Sequence, residues 1–239
     1  MILKCNKIKK AFSLAETLIT VVILGILGAI TVTSVIKNCQ KTQTLTKLKK
    51  TYSAINQAID ISVIENGPAD TWQGTPQERI RNYIIPYFKV KEVITMPESR
   101  SKSGNKFYQI SGKQETGLGI VRTLYDDRSL AIYLKDNTQI WIFCGTIAIT
   151  FYVDLNGPKK PNTYGKDMFS FVYYINDNYF DFSSACDNET VYVEKSISDL
   201  KTGTPCRGLQ YGCNKNGRGM WCGALIEASG WKFPKDYPW

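Results

Sequence analysis

One acid stands alone in a long apolar run. From Phe12 to Ile36 the chain reads FSLAETLITVVILGILGAITVTSVI, 25 residues in which Glu16 is the single charge. Two kinds of chemistry suit such a carboxylate. In a plain membrane anchor it is a cost of about 2–3 kcal/mol at the centre of the span, less near an end. In an assembling helix it is a partner for a buried cation. If the chain is cut between Ala11 and Phe12, Glu16 becomes the fifth residue of a helix that begins at its own ammonium. The ammonium of a neighbouring copy can then pair with it. At about 4 Å and an effective dielectric near 20, the attraction is roughly 4 kcal/mol before desolvation. The helix dipole also favours an acid in the first turns.

Other chemistry is thinner. The chain contains no histidine. That excludes a Ser-His-Asp triad, a Cys-His pair, His-ligated zinc and a His general base. The pair Asp126-Asp127 reads as a turn, and no nucleophile–base set stands out, so the chain is not expected to be an enzyme. Seven cysteines occur, and Cys5 would leave with the segment before Phe12. The remaining six allow about 15 pairings. No C-x-x-C is present, which speaks against a zinc ribbon or a thioredoxin-type site. Cys144, Cys186, Cys206, Cys213 and Cys222 are the disulfide candidates, while Cys39 follows the apolar run closely and is expected to stay free. The loop from Val153 to Asp167 gathers four Asx residues around glycine and proline. It reads either as Asx-turns shaping an exposed loop or as a calcium site built on Asp154, Asn156 and Asp167. Its spacing is not that of an EF-hand, since Gly165 stands at the twelfth position.

These residues need elements to position them. The chain has 239 residues, with 43% hydrophobic and 21% charged side chains, which excludes disorder as the main state. Lys4, Lys7, Lys9 and Lys10 give the first eleven residues a basic character with no acid. The net charge of +9 falls to +5 without them, because 26 basic residues then face 21 acidic ones. That excess does not imply a specific nucleic-acid partner. A 25-residue apolar helix would be roughly 37 Å long and could cross a hydrocarbon core of about 30 Å. An ordinary signal peptide, a plain single-pass anchor and a cleaved assembly helix all start from this pattern. The signal peptide fits least, because Leu27 spoils the small-residue site at Ala29.

The segment KKAFSLAETLITVVILGILGAI resembles the N-terminal cleavage and methylation motif of type IV prepilins and type II secretion pseudopilins. The resemblance implies a leader peptidase cut between Ala11 and Phe12, N-methylation of Phe12, and assembly guided by Glu16. Ala11 stands where the family usually has glycine, and Thr33 where many members have proline. The implied partners are other copies or related subunits, the prepilin peptidase that is also the N-methyltransferase, an inner-membrane assembly platform, and membrane lipid. The implied place is the inner membrane, with one pass and an extracytoplasmic C-terminal domain. Major pseudopilins also use a calcium-holding loop, which bears on Asp154, Asn156 and Asp167; no other cofactor is implied. The implied role is that of a pilus or pseudopilus subunit. The alternative is a secreted or singly anchored extracytoplasmic protein, ligand-binding or enzymatic, that uses residues 1–36 as an ordinary signal or anchor.

Past the span the pattern changes. No proline occurs between Phe12 and Gly67, and Leu45, Leu48, Tyr52, Ile55 and Ile59 repeat in steps of three and four. This predicts one continuous helix over 12–64 with an apolar stripe along its second half. Thr75-Pro76-Gln77-Glu78 predicts a capping box and a short helix to about Phe88. Strands are expected over 106–111, 120–125, 130–135, 139–144, 147–155 and 169–176, with a hairpin turn at Asp136-Asn137. After about residue 183 the pattern fades and cross-links are expected to hold the tail. Trp221, Trp231, Phe233, Tyr237 and Trp239 either cap the sheet or contact another molecule. The expected fold is α+β: a long N-terminal helix packed on an antiparallel sheet, with a loop-rich, cysteine-containing C-terminal region. The expected organisation is a basic leader at 1–11, an assembly helix at 12–36, an amphipathic stalk at 37–66 and a globular domain at 67–239.

Overall fold

A computed structural model of the chain describes residues 13–102, 106–117, 119–183, 194–203 and 211–239. The chain divides into two compact units, Met1–Gln43 and Thr44–Trp239. One helix, α1, runs Leu14–Asn66 and contributes to both.

From Leu14 to Ile36 α1 has no single apolar stripe, because apolar residues occupy every face. Its side chains are exposed: Leu14 is 80% accessible, Val21 67% and Leu24 62%. The threonines are satisfied within the helix. The hydroxyls of Thr20, Thr31 and Thr33 donate to the carbonyls of Glu16, Leu27 and Ala29, four residues earlier. Thr33 thus continues the helix where a proline would remove a donor.

In the second unit the stripe is buried as its spacing requires. Leu48, Ile55 and Ile59 are almost fully covered, with Leu45 and Tyr52 packed against the same core. Two hydrogen bonds start α2 (Pro76–Arg79): Glu78 N–H donates to Thr75 Oγ1 at 3.3 Å, and Thr75 N–H donates to Glu78 Oε2 at 2.8 Å. Helical backbone continues through a wide turn, Ile80–Ile84, and a tight one, Ile85–Tyr87. Then follow β1 (Val90–Thr95), α3 (Met96–Lys102), α4 (Ile120–Thr123), β2 (Ser129–Leu134), β3 (Gln139–Cys144), β4 (Ala148–Asp154), β5 (Met168–Tyr174), β6 (Tyr179–Phe182), α5 (Ile197–Thr202) and α6 (Cys222–Ala228).

The six strands lie in sequence order, each antiparallel to the next. This is the expected meander, since short connections join strands that are adjacent in sequence. The β2–β3 turn falls at Asp136-Asn137 as expected. Asn137 takes φ 65°, and Asp136 Oδ1 accepts the Thr138 N–H at 3.1 Å. Register sorts the side chains by face. Ile142, Phe151 and Phe171 align on one face, and the Tyr52 ring of α1 lies 6.0 Å from Phe171 and 5.2 Å from Phe182. Trp141, Tyr152 and Ser170 align on the other. There the Trp141 indole donates to Ser99 Oγ at 2.9 Å and meets the Phe107 ring edge-on. Covered on both faces, β5 is buried at every position. Its buried Met, Phe and Val side chains each stabilise the fold by about 1.5–3 kcal/mol.

Two expected strands are absent. Residues 120–125 form the single turn α4, and 106–111 contribute only isolated bridges at Tyr108. Tertiary contacts override their β-branched composition: the Tyr164 hydroxyl accepts the Ile120 N–H at 3.1 Å, right after Gly119 at φ 53°. Two strands, β1 and β6, were not expected. The tail is more regular than its sequence suggests. α5 has its own capping box, Ser196 with Asp199. A disulfide joins Cys213 to Cys222, and Arg218 pairs with buried Glu115 at 2.5 Å. The terminal aromatics pack inward: Tyr237 is buried, and Phe233 stacks edge-on against Tyr237 and Trp239.

Candidate functional site

The start of α1 holds the first site. Ala11 and Phe12 lie outside the described residues. Ser13 precedes the helix, and its N–H donates to Glu16 Oε2 at 2.9 Å. In return the Glu16 N–H donates to Ser13 Oγ at 3.2 Å. This is a reciprocal cap of the S-x-x-E type. Sequence analysis singled out Glu16 and passed over Ser13, although Ser13-Leu14-Ala15-Glu16 ahead of an apolar run is the signature of such a cap. The geometry holds the carboxylate back toward the helix start. The helix is long and apolar enough to cross a membrane, with a mean hydropathy of 2.5 over its most apolar window.

The second site is the loop between β4 and β5. It does bring Asp154, Asn156 and Asp167 together. Asp167 accepts the backbone N–H groups of Asn162 at 2.8 Å and Thr163 at 2.6 Å, and the Asn156 side-chain amide at 3.0 Å. Asp154 accepts the Asn156 N–H at 3.0 Å. Turned about its amide, Asn162 adds a donor to Asp154 Oδ2 at 3.2 Å. From α1, the Lys47 ammonium donates to the carbonyls of Leu155 and Asp136. Burial, then the charge of Asp167, pushes the Asp154 carboxyl up to about 8. Burial likewise raises Asp167, opposed by its three N–H donors.

In this structure N–H donors, rather than a cation, face these carboxylates. Calcium needs six to eight oxygens with free lone pairs. Here N–H donors of Asn156, Asn162 and Thr163 converge on the carboxylates. Among the described residues no group of three or more acids, cysteines or histidines could hold a metal. The cluster acts as a clasp that closes the loop and fastens it to α1 through Lys47.

The cysteine expectations divide. Cys213 and Cys222 are bonded to each other, and Cys39 is free and exposed. Cys144 was expected as a disulfide candidate and is free and buried instead. It ends β3, paired with Ile149, where burial pushes its thiol up, so it packs as a small apolar side chain. Cys186 and Cys206 lie outside the described residues. Asp126 forms the expected turn, paired with Arg128 at 2.7 Å.

A third group was invisible in sequence. Half-buried Tyr52 of α1 and Glu227 of α6 meet buried Asp181 of β6. Burial, then the charge of Asp181 and a hydrogen bond to it, pushes Glu227 up to about 8. The Tyr52 hydroxyl donates to Glu227 and is itself raised, chiefly by burial. A protonated Glu227 can donate to Asp181, so the pair shares a proton where two charges would repel. No periodicity marks three residues that are 129 and 46 positions apart in sequence.

One protein-family profile matches residues 34–239. The chain belongs to that family, DUF6613, a family of unknown function. The DUF6613 match covers the whole sheet, the loop clasp and the Tyr52–Asp181–Glu227 group, and begins after Glu16. No curated protein and no solved structure matches this DUF6613 chain.

Proposed function

We propose that this chain is a structural subunit of a type IV pilus-like or type II secretion pseudopilus filament. It is cut before Phe12 by a prepilin peptidase, N-methylated there, and assembled from the inner membrane through α1. One observation carries the reading: the first part of α1 exposes apolar side chains on every face, and its one acid points back to the helix start. Such a surface is stable in lipid, or among other copies of itself. A neighbour's ammonium arriving at the helix start would replace the Ser13 N–H as partner of Glu16. Residues 44–239 then stand outside the cytoplasm, where the Cys213–Cys222 bond is stable.

The Ser13–Glu16 cap favours a second reading, because it gives the acid a purely local task. Residues 1–36 would then be an ordinary signal or anchor for an extracytoplasmic protein. N-terminal sequencing and mass of the membrane-extracted protein separate the two. The filament reading expects a methylated Phe12 at the start, and a Glu16→Ala variant that enters the membrane and stays out of filaments. Protein that keeps residues 1–11, or Glu16→Ala chains that assemble normally, would overturn it.

A further inference from the structure

We propose that the second unit binds a single-chain anionic amphiphile, a long-chain fatty-acid carboxylate, in a groove between α1 and the end of the β1–β2 ladder. The groove lies wholly within Thr44–Trp239, so the proposal stands apart from the filament reading.

The groove differs at its two ends. At one end stand Lys50, Lys89 and Lys135. Lys89 and Lys135 are exposed, and each lies one residue beyond Val90 and Leu134, the partners that end the ladder. Lys50 of α1 reaches the same corner, where its ammonium meets Asp136 Oδ2 at 3.2 Å. Three lysines against one aspartate leave this end at +2.

The other end is apolar. Ile61 follows Lys50 by 11 positions on α1, about 16 Å along the helix axis. Ile61 is 44% exposed, an apolar side chain left in water, while Ala58 beside it is buried. The Tyr87 hydroxyl closes this end: it donates to Glu65 Oε2 at 2.7 Å and accepts the Asn66 side-chain N–H at 2.8 Å. Between the ends the surface is formed by Ala54, Phe88 and Leu134.

Such a groove fits a molecule with a negative head and an apolar body in line. The ammonium groups of Lys89 and Lys135 can hold a carboxylate by charge-assisted hydrogen bonds, and the chain then covers Ile61. Glu65 fixes the direction, since a head placed at the apolar end would meet like charge. Size and polarity set other occupants aside. The volume of about 300 Å³ is at the small end for ligand sites, whereas a folded partner needs about 800 Å² of surface on each side. A peptide would bring backbone N–H and C=O groups that Ala54, Ala58 and Ile61 cannot pair. A bilayer lipid already has its chains out of water and gains little from the groove, while a dissolved single-chain acid gains the transfer of its whole tail.

The test uses the full chain in nanodiscs of zwitterionic phospholipid, with dodecanoate that carries a diazirine at its tail end. Irradiation is expected to label Ile61 or its neighbours between Gln57 and Glu65, or Tyr87, as mapped by mass spectrometry. Plain dodecanoate should compete, and the alcohol with the same tail should label about tenfold less or weaker still. Lys89→Glu with Lys135→Glu should lower the labelling by about tenfold or more. Both positions are exposed, so this variant should fold. No label in the groove, equal labelling by the alcohol, or a charge reversal without effect overturns the proposal. So does a diazirine phosphatidylglycerol in the disc that labels the groove as strongly as the acid, because a membrane lipid is then the occupant. The filament reading is scored separately, by the N-terminus of the mature chain.

Discussion

The two stretches of α1 share a helix and differ in what they do with apolar side chains. From Leu45 to Ile59 the apolar residues occupy one stripe, and Leu48, Ile55 and Ile59 retain at most 2% of their accessible surface. From Leu14 to Ile36 they occupy every face, and the large apolar side chains described there keep 50–80%. A stripe names a partner within the same chain, because only one direction must be covered. An all-round apolar surface names a partner outside it, either lipid or other helices. The pattern of hydrophobic residues, more than their number, thus divides the helix into a part that folds the domain and a part that places it.

The sharpest way to break that comparison is to shorten one apolar side chain in each stretch. Ile55→Ala should cost about 2–5 kcal/mol of domain stability, because the cavity it leaves is closed on all sides. Leu24→Ala should leave the domain unchanged. Urea unfolding of the full chain in detergent, followed by the fluorescence of buried Trp72, Trp141 and Trp221, reads both variants. Equal losses from the two would mean that the first stretch also serves the domain's core.

The same contrast explains what was legible in the sequence. α1 could be read to within two residues at each end, since a 3.6-residue period and a break at Asn66-Gly67-Pro68 are local signals. β2 to β5 and the Asp136-Asn137 turn were legible for the same reason. β1 was missed because Lys91 and Glu92 lie exposed on an edge strand, so its alternation is weak. The strand expected at 120–125 failed because a phenol from Tyr164, 44 residues away, takes the Ile120 N–H. The structure brings Asp154, Asn156 and Asp167 together, and only geometry showed which N–H donors meet their carboxylates. The Tyr52–Asp181–Glu227 group depends on three distant elements and left no local trace.

That group sharpens the comparison between acids. Glu16 lies exposed at a helix start, whereas Glu227 is half-buried against a second carboxylate. Glu227 has an ordinary value of 4.5 and is pushed up to about 8 in the folded chain. Between those values the native state keeps a proton that the unfolded chain has released. Stability from this source is therefore complete below about pH 4.5 and is lost as pH rises through about 8. Asp154, also raised to about 8, acts in the same direction. Glu227→Gln should flatten part of the decline, so its urea midpoint should change less than the parent's between about pH 5 and pH 9. An unchanged slope would mean that Glu227 is ionised throughout.

The smallest effect separates two caps with the same wiring. Ser13–Glu16 and Thr75–Glu78 each pair a hydroxyl with an N–H three residues on and a carboxylate with an N–H three residues back. Thr75 starts a helix that leads into buried Ile80 and Ile84, so Thr75→Ala should cost the domain about 1 kcal/mol. Ser13→Ala removes a comparable bond from a stretch whose apolar side chains are exposed, and should leave the urea midpoint unmoved. Its effect should appear as fraying over residues 13–17, read by amide hydrogen exchange in detergent. Loss of the Ser13 hydroxyl removes the acceptor of the Glu16 N–H and leaves the Ser13 N–H on the Glu16 carboxylate. If the acid waits for a neighbour's ammonium, Ser13→Ala should assemble at least as readily as the parent, whereas Glu16→Gln, which can still accept the Ser13 N–H, should not. The opposite order would make the cap itself, and not the charge, the reason for an acid at this position.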